Sequence, residues 1–238
     1  VIGGVHPSTV DKELAQIDSV DFVVHGEGEL TFYELVKTLE SKGNLSNVKG
    51  ISYINKGTVC KTHHRELIPN LDKLPFPARH LVDMEIYNKK GFKYGGERPL
   101  SMISTSRGCP YGCFFCAVPS ISGKSWRSRS VSSIMSEIDE LYNRYGYRAI
   151  IFSDDNFTIS PKRVKELCKR ILEKKYGLWW WCMSSPNTLI ENEDMVELMA
   201  KAGAKTVFIG VESGSEKTLK EFNKKMDTST AEKAVAVL

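Results

Sequence analysis

The residues best suited to chemistry are three cysteines within one short segment, CPYGCFFC. Cys109, Cys113 and Cys116 follow an apolar stretch over residues 100–106, which is typical of a strand that leads into a loop. A CxxxCxxC loop places three thiolates on three corners of a cubic iron-sulfur cluster and leaves the fourth iron without a protein ligand. The spacing therefore predicts a 4Fe-4S cluster with one iron open to a further ligand.

The same cysteines allow other interpretations. A structural zinc site needs four ligands, usually with a second pair of Cys or His further along the chain. Cys60, Cys168 and Cys182 are instead scattered singly, and no His follows Val82. Disulfide frameworks are typical of short secreted chains, whereas this chain has 238 residues and no signal-peptide pattern. A zinc-binding interaction module and an iron-sulfur electron-transfer module nevertheless remain alternatives, while Cys168 and Cys182 fit core positions.

Composition indicates a soluble, cytoplasmic enzyme. The chain is 41% hydrophobic and 26% charged, and no apolar run is long enough to span a membrane. The net charge of +4 is spread along the chain and does not indicate a nucleic-acid partner. Three tryptophans at 179–181 fit a strand covered on both faces better than a base-stacking surface. Because the chain starts without Met and ends within a helical pattern, we expect an internal fragment.

The chain up to about residue 62 alternates strand and helix patterns. We predict strands ending at Gly3 and Gly4 and at 21–24, with helices starting near Ser8 and at 30–41. Two further strands are joined by a turn with glycine, which predicts a β-hairpin. Prolines 69, 75 and 77 predict a linker, or an arm packed along the surface. The predicted domains are residues 1–67, a linker at 68–98, and residues 99–238.

From residue 100 onward the strand-then-helix pattern repeats. The predicted strands are 100–106, 149–153, 178–183 and 206–211. The predicted helices are 131–145, 161–175, 192–202 and 229–238, with a short helical turn at 216–222. Repeated strand-helix units indicate a parallel sheet with right-handed crossovers, either open or closed into a barrel.

Polar residues follow every predicted strand of this second part. The cysteine loop follows the first strand, Asp154 and Asp155 the second, Ser184 the third and Glu212 the fourth. Turn residues and helix caps are needed at strand ends in any case, so each loop alone is weak evidence. In parallel α/β folds, however, ligands bind at the carboxyl ends of the strands. The four loops together predict one site.

The cysteine loop, with Phe115 just before its third cysteine and after the first strand of a repeating strand-helix domain, resembles that of the radical S-adenosylmethionine enzymes. The resemblance implies that Cys109, Cys113 and Cys116 ligate a 4Fe-4S cluster whose free iron takes the amino and carboxylate groups of S-adenosylmethionine. Phe115 would lie near the adenine. One electron would then break the sulfonium C–S bond and give methionine and a 5'-deoxyadenosyl radical, which in this family abstracts hydrogen from a substrate.

Other positions are carried over from the family with less specificity. Asp154 and Asp155 lie where the family often has a Gly-Gly-Glu motif, and their carboxylates would accept hydrogen bonds from the ammonium group of S-adenosylmethionine. Glu212 matches the end of the fourth strand, which commonly contacts the ribose or methionine part, and Ser184 is a lesser candidate. Arg127 and Arg129 fit the carboxylate of methionine, but solvated arginines at the start of a helix account for them equally well.

The N-terminal part resembles the end of the cobalamin-binding domain that precedes the barrel in one branch of this family. The resemblance rests on VIGGVHPS, DFVVHGEGE and the proline-containing linker. Gly3 and Gly4 would let the backbone approach the nucleotide tail of cobalamin. The motif with an axial histidine would lie upstream of residue 1, and neither His6 nor His25 has its spacing.

Together these resemblances imply an α/β fold: the end of a Rossmann-like cobalamin-binding domain, then a partial TIM-type (βα) radical SAM barrel, truncated at both ends. The implied function is that of a cobalamin-linked radical enzyme acting in methyl transfer or a related radical modification, such as ring closure or rearrangement. The implied partners are an unknown small-molecule substrate and a one-electron donor such as flavodoxin or ferredoxin.

Overall fold

The computed structural model describes residues 1–90, 93–94 and 98–238. Part of the predicted linker, at residues 91–92 and 95–97, lies outside the described residues. Within the described part of the chain, no helix combines the length and apolar character that a membrane crossing needs.

The contacts divide the chain into two compact units. The first contains residues 1–69 and 117–123, and the second contains residues 70–116 and 124–238. The strands of the first unit are β1 (Ile2–Gly3), β2 (Phe22–Val24), β3 (Ile51–Asn55) and β4 (Thr58–Lys61). Its helices, numbered along the whole chain, are α1 (Val5–Thr9), α2 (Asp11–Ala15), α3 (Gly28–Glu40) and α5 (Val118–Ile121).

The sheet of the first unit is mixed and has the order β1-β2-β3-β4. β1 is parallel to β2, whereas β2-β3 and β3-β4 are antiparallel. β3 and β4 pair as the predicted hairpin. Lys56 and Gly57, in the turn between them, both adopt positive φ, as a tight turn between twisted strands requires. The core beneath this sheet consists of Val24, Leu35, Val48 and Ile51.

The prediction that the first helix starts near Ser8 is wrong, since α1 begins at Val5. The Ser8 hydroxyl does not cap a helix; it donates to the Gly4 carbonyl at 2.6 Å and accepts from the Gly26 amide at 2.9 Å. Serine is typical of helix starts, but its hydroxyl serves any nearby backbone group equally well. Here it ties together the loops that follow β1 and β2.

A buried polar network joins three elements of the first unit. The Ser52 hydroxyl donates to Asp11 at 2.6 Å and lies 2.9 Å from His25 Nε2, and Lys61 Nζ donates to Asp11 at 2.9 Å. Asp11, His25 and Ser52 are all buried. Burial lowers the pKa of His25, and Lys61 and His64 act in the same direction, against the opposing effect of Asp11. The balance of these effects favours the neutral form of His25.

This network predicts a pH dependence of stability. Because the pKa of His25 is lower in the folded state, the unfolded chain takes up the proton first, so the free energy of unfolding falls as the pH drops below about 6.5. We expect urea denaturation to show a less stable protein at about pH 5.5 than at about pH 7.5. A His25→Gln variant keeps a hydrogen-bonding side chain but cannot titrate, and should flatten this dependence. An unchanged slope in that variant would contradict the assignment.

The second unit carries the predicted parallel sheet. Its strands are β5 (Lys93–Tyr94), β6 (Arg98–Ile103), β7 (Ser106–Arg107), β8 (Arg127–Ser128), β9 (Ala149–Phe152), β10 (Trp179–Ser184) and β11 (Ala204–Ile209). Its helices are α4 (Met84–Lys90), α6 (Val131–Asn143), α7 (Pro161–Lys174), α8 (Pro186–Ile190), α9 (Glu193–Lys201), α10 (Glu216–Glu221) and α11 (Thr228–Val237). Short 3-10 turns lie at Leu45–Asn47 in the first unit and at Leu71–Lys73, Arg79–Leu81 and Phe157–Ile159 in the second.

The main sheet has the order β11-β10-β9-β6-β5, and β6, β9, β10 and β11 are mutually parallel. The prediction of a parallel α/β sheet is thereby confirmed. One face of each strand packs on the helices, where Phe152, Trp180 and Cys182 are fully buried. The Trp180 indole satisfies its polar atom by donating to the Ala202 carbonyl at 2.9 Å. All four parallel strands therefore end on the same edge of the sheet.

The C-terminal end of the proline-containing segment packs against helix α6 of the second unit. Arg79 is buried and donates to Glu137 of α6 at 2.5 Å, and Arg129 pairs with the same carboxylate. Arg79, at the end of the segment predicted to be a linker or a packed surface arm, is therefore buried against α6. The two guanidinium groups share the single carboxylate of Glu137, and the carboxylate of Glu140 lies 4.0 Å from Arg79.

Candidate functional site

The cysteine loop follows β6 and is closed at its base by a two-stranded ribbon. β7 pairs with β8 through Ser106 opposite Ser128 and Arg107 opposite Arg127. The ribbon brings together residues that are far apart in sequence, so the intervening segment leaves the sheet edge as a closed loop. β6 pairs with parallel β9 on one side and with antiparallel β5 on the other, so the loop starts beside the end of β9.

The loops that follow the four parallel strands meet at one cavity of about 190 Å³. This confirms the expectation that they converge. Each loop contributes to its wall, and the contributing residues include Cys109, Cys113, Cys116, Asp155, Ser184 and Glu212. Met183 and Phe208 add an apolar side to the cavity. A pocket with an apolar wall and a few convergent polar groups is suited to a small organic ligand.

The three cysteines form a donor set that suits a cluster. All three are free thiols that line the cavity, and the Tyr111 amide donates a hydrogen bond to Cys109. Burial raises the pKa of Cys109, and the charges of Asp155 and the other two cysteines act in the same direction. No group of three His, Cys, Asp or Glu side chains within the described ranges is placed to hold a single metal ion. A cubic cluster does not require that placement, because each thiolate binds a different iron.

Of the two aspartates after β9, the one that lines the cavity is Asp155 and not Asp154. Asp155 is exposed and accepts a hydrogen bond from the Gly108 amide, next to the first cysteine. Asp154 is 1% exposed, so its carboxylate faces the protein interior. The expectation that Asp154 contacts a ligand directly does not fit this burial, and of the two predicted carboxylates it is Asp155 that lines the cavity.

The Asp154 carboxylate instead holds the segment at the base of the cysteine loop. It accepts hydrogen bonds from the Thr105 amide at 3.1 Å, from the Thr105 hydroxyl at 2.9 Å and from the Ser106 hydroxyl. Arg163 of α7, which is also buried, donates to the Thr105 hydroxyl at 2.9 Å. Burial raises the pKa of Asp154, although the Ser106 bond and the Arg163 charge oppose this. This network fixes the end of β9 to the start of β7.

The other predicted site residues of the second unit lie in the cavity wall. The Phe115 ring is 49% exposed and packs on Phe222, with 5.2 Å between ring centroids. Ser184 is buried, and its hydroxyl lies 2.6 Å from that of Thr158. Glu212 pairs with Lys224 at 3.0 Å. The structure thus gathers Phe115, Ser184 and Glu212 with the cysteines.

Gly210 lies close to the charged ends of the Glu212 and Lys224 side chains. A Cβ atom added to Gly210 would lie 2.5 Å from Glu212 Oε1 and 2.9 Å from Lys224 Nζ. Glu212 itself adopts a positive φ of 66°, which is uncommon for a residue with a side chain. The chain therefore turns sharply after β11 to bring this carboxylate back against the cavity.

Sequence reasoning missed the cavity residues that precede α11. Asn223, Lys224, Lys225 and Met226 all line the cavity, yet they look like an ordinary polar turn between two helices. The sequence feature that could have indicated these cavity residues is the pair of adjacent lysines, Lys224 and Lys225, after a short helix. Arg129, in contrast, is occupied by Glu137 and by Ser133 and does not line the cavity.

In the first unit, the loops after β1 and β2 lie side by side. Gly3 packs closely on Val24, whereas Gly4 has φ 104° and a Cβ added to it would meet nothing within 4 Å. Gly26 also has a positive φ, and the Ser8 hydroxyl bridges the two loops. The backbone at Gly4 is thus open to the close approach of a ligand.

Comparison with known proteins identifies relatives along nearly the whole chain. Residues 103–238 match the family model described as the radical SAM superfamily. An uncharacterized methyltransferase, PH0819, from Pyrococcus horikoshii is 36% identical over 94% of this chain and 47% of its own length. The anaerobic magnesium-protoporphyrin IX monomethyl ester cyclase of Synechocystis is 28% identical over 100% of this chain and 46% of its own length. The chain spans about half the length of these curated relatives.

A solved structure with the same fold is that of OxsB, a cobalamin-dependent S-adenosylmethionine radical enzyme with aqua-cobalamin and S-adenosylmethionine bound. It superposes with a TM-score of 0.82 at 24% sequence identity and covers 99% of this chain and 34% of that protein. The likeness extends over both units of this chain and confirms the predicted fold.

Proposed function

This chain belongs to the radical SAM superfamily, and we propose that it is part of an enzyme that cleaves S-adenosylmethionine reductively with a 4Fe-4S cluster. The observation that carries the proposal is that Cys109, Cys113 and Cys116 line the same cavity as the loops after the other three parallel strands. When bound, the cluster supplies the electron that breaks the sulfonium C–S bond to give methionine and a 5'-deoxyadenosyl radical.

In this proposal, different residues of the cavity bind different groups of S-adenosylmethionine. Asp155 is placed to accept hydrogen bonds from its ammonium group, since a carboxylate favours a charged donor. Lys224 and Glu212 offer one charge of each sign for the carboxylate and the ribose hydroxyls. Phe115 offers an aromatic edge to the adenine, and Ser184 a hydroxyl. The apolar wall limits the access of water to the reactive carbon.

We further propose that the first unit binds cobalamin through the loop at Gly3 and Gly4. Three observations support this proposal. The backbone at Gly4 is open to a ligand, and the Ser8 hydroxyl bridges the loops that follow β1 and β2. The fold is also that of a cobalamin-dependent enzyme. Cobalamin would allow methyl transfer to a small-molecule substrate, whereas ring closure is the second candidate because one relative is named a cyclase. We place the enzyme in the cytoplasm, with flavodoxin or ferredoxin as its electron donor.

Electron paramagnetic resonance tests the central proposal. The protein is reconstituted with iron and sulfide without oxygen, reduced, and measured with and without S-adenosylmethionine. We expect a 4Fe-4S signal that shifts on addition of the compound, because it binds the open iron. An unchanged signal in folded protein would reject the proposal and favour an electron-transfer module, and zinc in place of iron would favour an interaction module.

The role of Asp155 gives a quantitative prediction. Asp155→Asn removes the charge that attracts the ammonium group, and we expect S-adenosylmethionine to bind about tenfold or more weakly. Binding is measured by titrating the shift of the cluster signal. The matched control is Asp194→Asn, which changes an exposed carboxylate of α9 that pairs with Lys165. Equal affinities in wild type and Asp155→Asn would contradict the assignment.

A further inference from the structure

The turn between α10 and α11 is hydrogen-bonded directly to the cysteine loop. The Asn223 side-chain amide donates to the Gly112 carbonyl at 2.8 Å, and the Phe114 amide donates to the Phe222 carbonyl at 3.0 Å. The rings of Phe115 and Phe222 also pack together. These contacts join segments more than a hundred residues apart in the chain.

Both hydrogen bonds go to peptide groups that flank Cys113. Gly112 precedes this cysteine and Phe114 follows it, so the backbone is fixed on each side of the second thiol. The turn itself is well held. Asn223 adopts a positive φ of 53°, which asparagine tolerates better than most residues, and the Lys224 amide donates to Leu219 at 2.9 Å.

The same turn forms part of the cavity wall. Asn223 lines the cavity, and the next residue, Lys224, pairs with Glu212 across its edge. Asn187 at the start of α8 donates to the Lys225 carbonyl at 2.5 Å and anchors the far end of the turn. A ligand that contacts this wall therefore contacts the element that fixes Cys113.

We propose that Phe222 and Asn223 form a clasp that positions Cys113 and couples it to the ligand cavity. The inference rests on the proposed function, since the clasp matters only if Cys113 ligates a cluster. Asn223 is a positioning residue, because it acts through the backbone of the cysteine loop. Ligand in the cavity stabilises the clasp, and the clasp in turn slows the release of the cluster.

The test compares Asn223→Gly with wild type. Glycine adopts the same positive φ, so this variant removes the amide donor without imposing backbone strain. We expect a chelator to remove iron from the reconstituted protein about three- to tenfold faster, which corresponds to the loss of one hydrogen bond. We also expect S-adenosylmethionine to slow iron release in wild type and to protect the variant less. The reduced cluster should show altered resonance positions in the variant.

Two further variants keep the test decisive. Asn223→Asp keeps the shape of the side chain but has no amide to donate to the Gly112 carbonyl, so it should also release iron faster than wild type. This variant replaces Asn223→Gly in the test if the glycine variant does not fold. Asn192→Gly removes an amide that donates to the Thr188 carbonyl at 2.9 Å, away from the cavity, and should behave as wild type. Release at the wild-type rate in both Asn223 variants, or equally fast release in Asn192→Gly, would overturn the clasp. If the electron paramagnetic resonance signal of the wild-type cluster did not change on addition of S-adenosylmethionine, the proposed function itself would be rejected.

Discussion

Replacing Cys113 with Ala is expected to abolish assembly of the iron-sulfur cluster and to reduce cleavage of S-adenosylmethionine to background. The three thiolates belong to one loop, and each binds a different iron, so no neighbouring side chain replaces a missing one. Cys113 is the middle ligand, and the peptide groups on both sides of it are held by Phe222 and Asn223. The loop backbone should therefore keep its shape in the variant while the donor is lost.

The measurement is iron and sulfide content after reconstitution, together with visible absorbance and the amount of 5'-deoxyadenosine formed. Cys60→Ala is the matched control, because Cys60 lies in β4 of the first unit and does not line the cavity. That control should retain both the cluster and the cleavage. Full iron content in Cys113→Ala would reject the assignment of this cysteine as a ligand.

The regular elements of the second unit could be predicted from local pattern because packing and capping agree with it. In α7, the apolar residues Val164, Leu167, Cys168 and Ile171 recur at helical spacing and are all buried. Ser160 accepts from the Arg163 amide and so caps the start of this helix, and Pro161 occupies its first turn. Where the local preference for a helix or strand agrees with the burial of its apolar residues, the element can be predicted from the sequence alone.

What could not be predicted depends on contacts between distant segments. β7 and β8 are two residues each, too short for any periodicity, and exist because they pair with one another. Lys224 lines the cavity beside Glu212, with which it pairs although the two residues are 12 positions apart in the chain. Asp154 and Asp155 have the same chemistry, so only the direction in which each side chain leaves the strand end separates their roles.

That separation of roles leads to a second large effect, on stability. Asp154→Ala is expected to destabilise the protein by about 3–5 kcal/mol, because it leaves the buried Arg163 guanidinium without a nearby negative charge. It also removes the acceptor for the hydroxyls of Thr105 and Ser106, which are themselves buried. The free energy of unfolding from urea denaturation measures this loss. Asp154→Asn keeps the shape and one carbonyl acceptor, and should lose less.

The neighbouring carboxylate supplies the control that makes the result specific. Asp155 is exposed, so Asp155→Asn should change the free energy of unfolding by less than about 0.5 kcal/mol while weakening ligand binding. Asp154→Asn should show the reverse, with a clear loss of stability and near-normal affinity for S-adenosylmethionine wherever the protein remains folded. If both variants lost affinity equally without a change in stability, Asp154 would be a ligand-binding residue and its buried position would not describe the working enzyme. Opposite effects of the same substitution at adjacent positions would assign Asp154 to the support of the cysteine loop and Asp155 to the ligand.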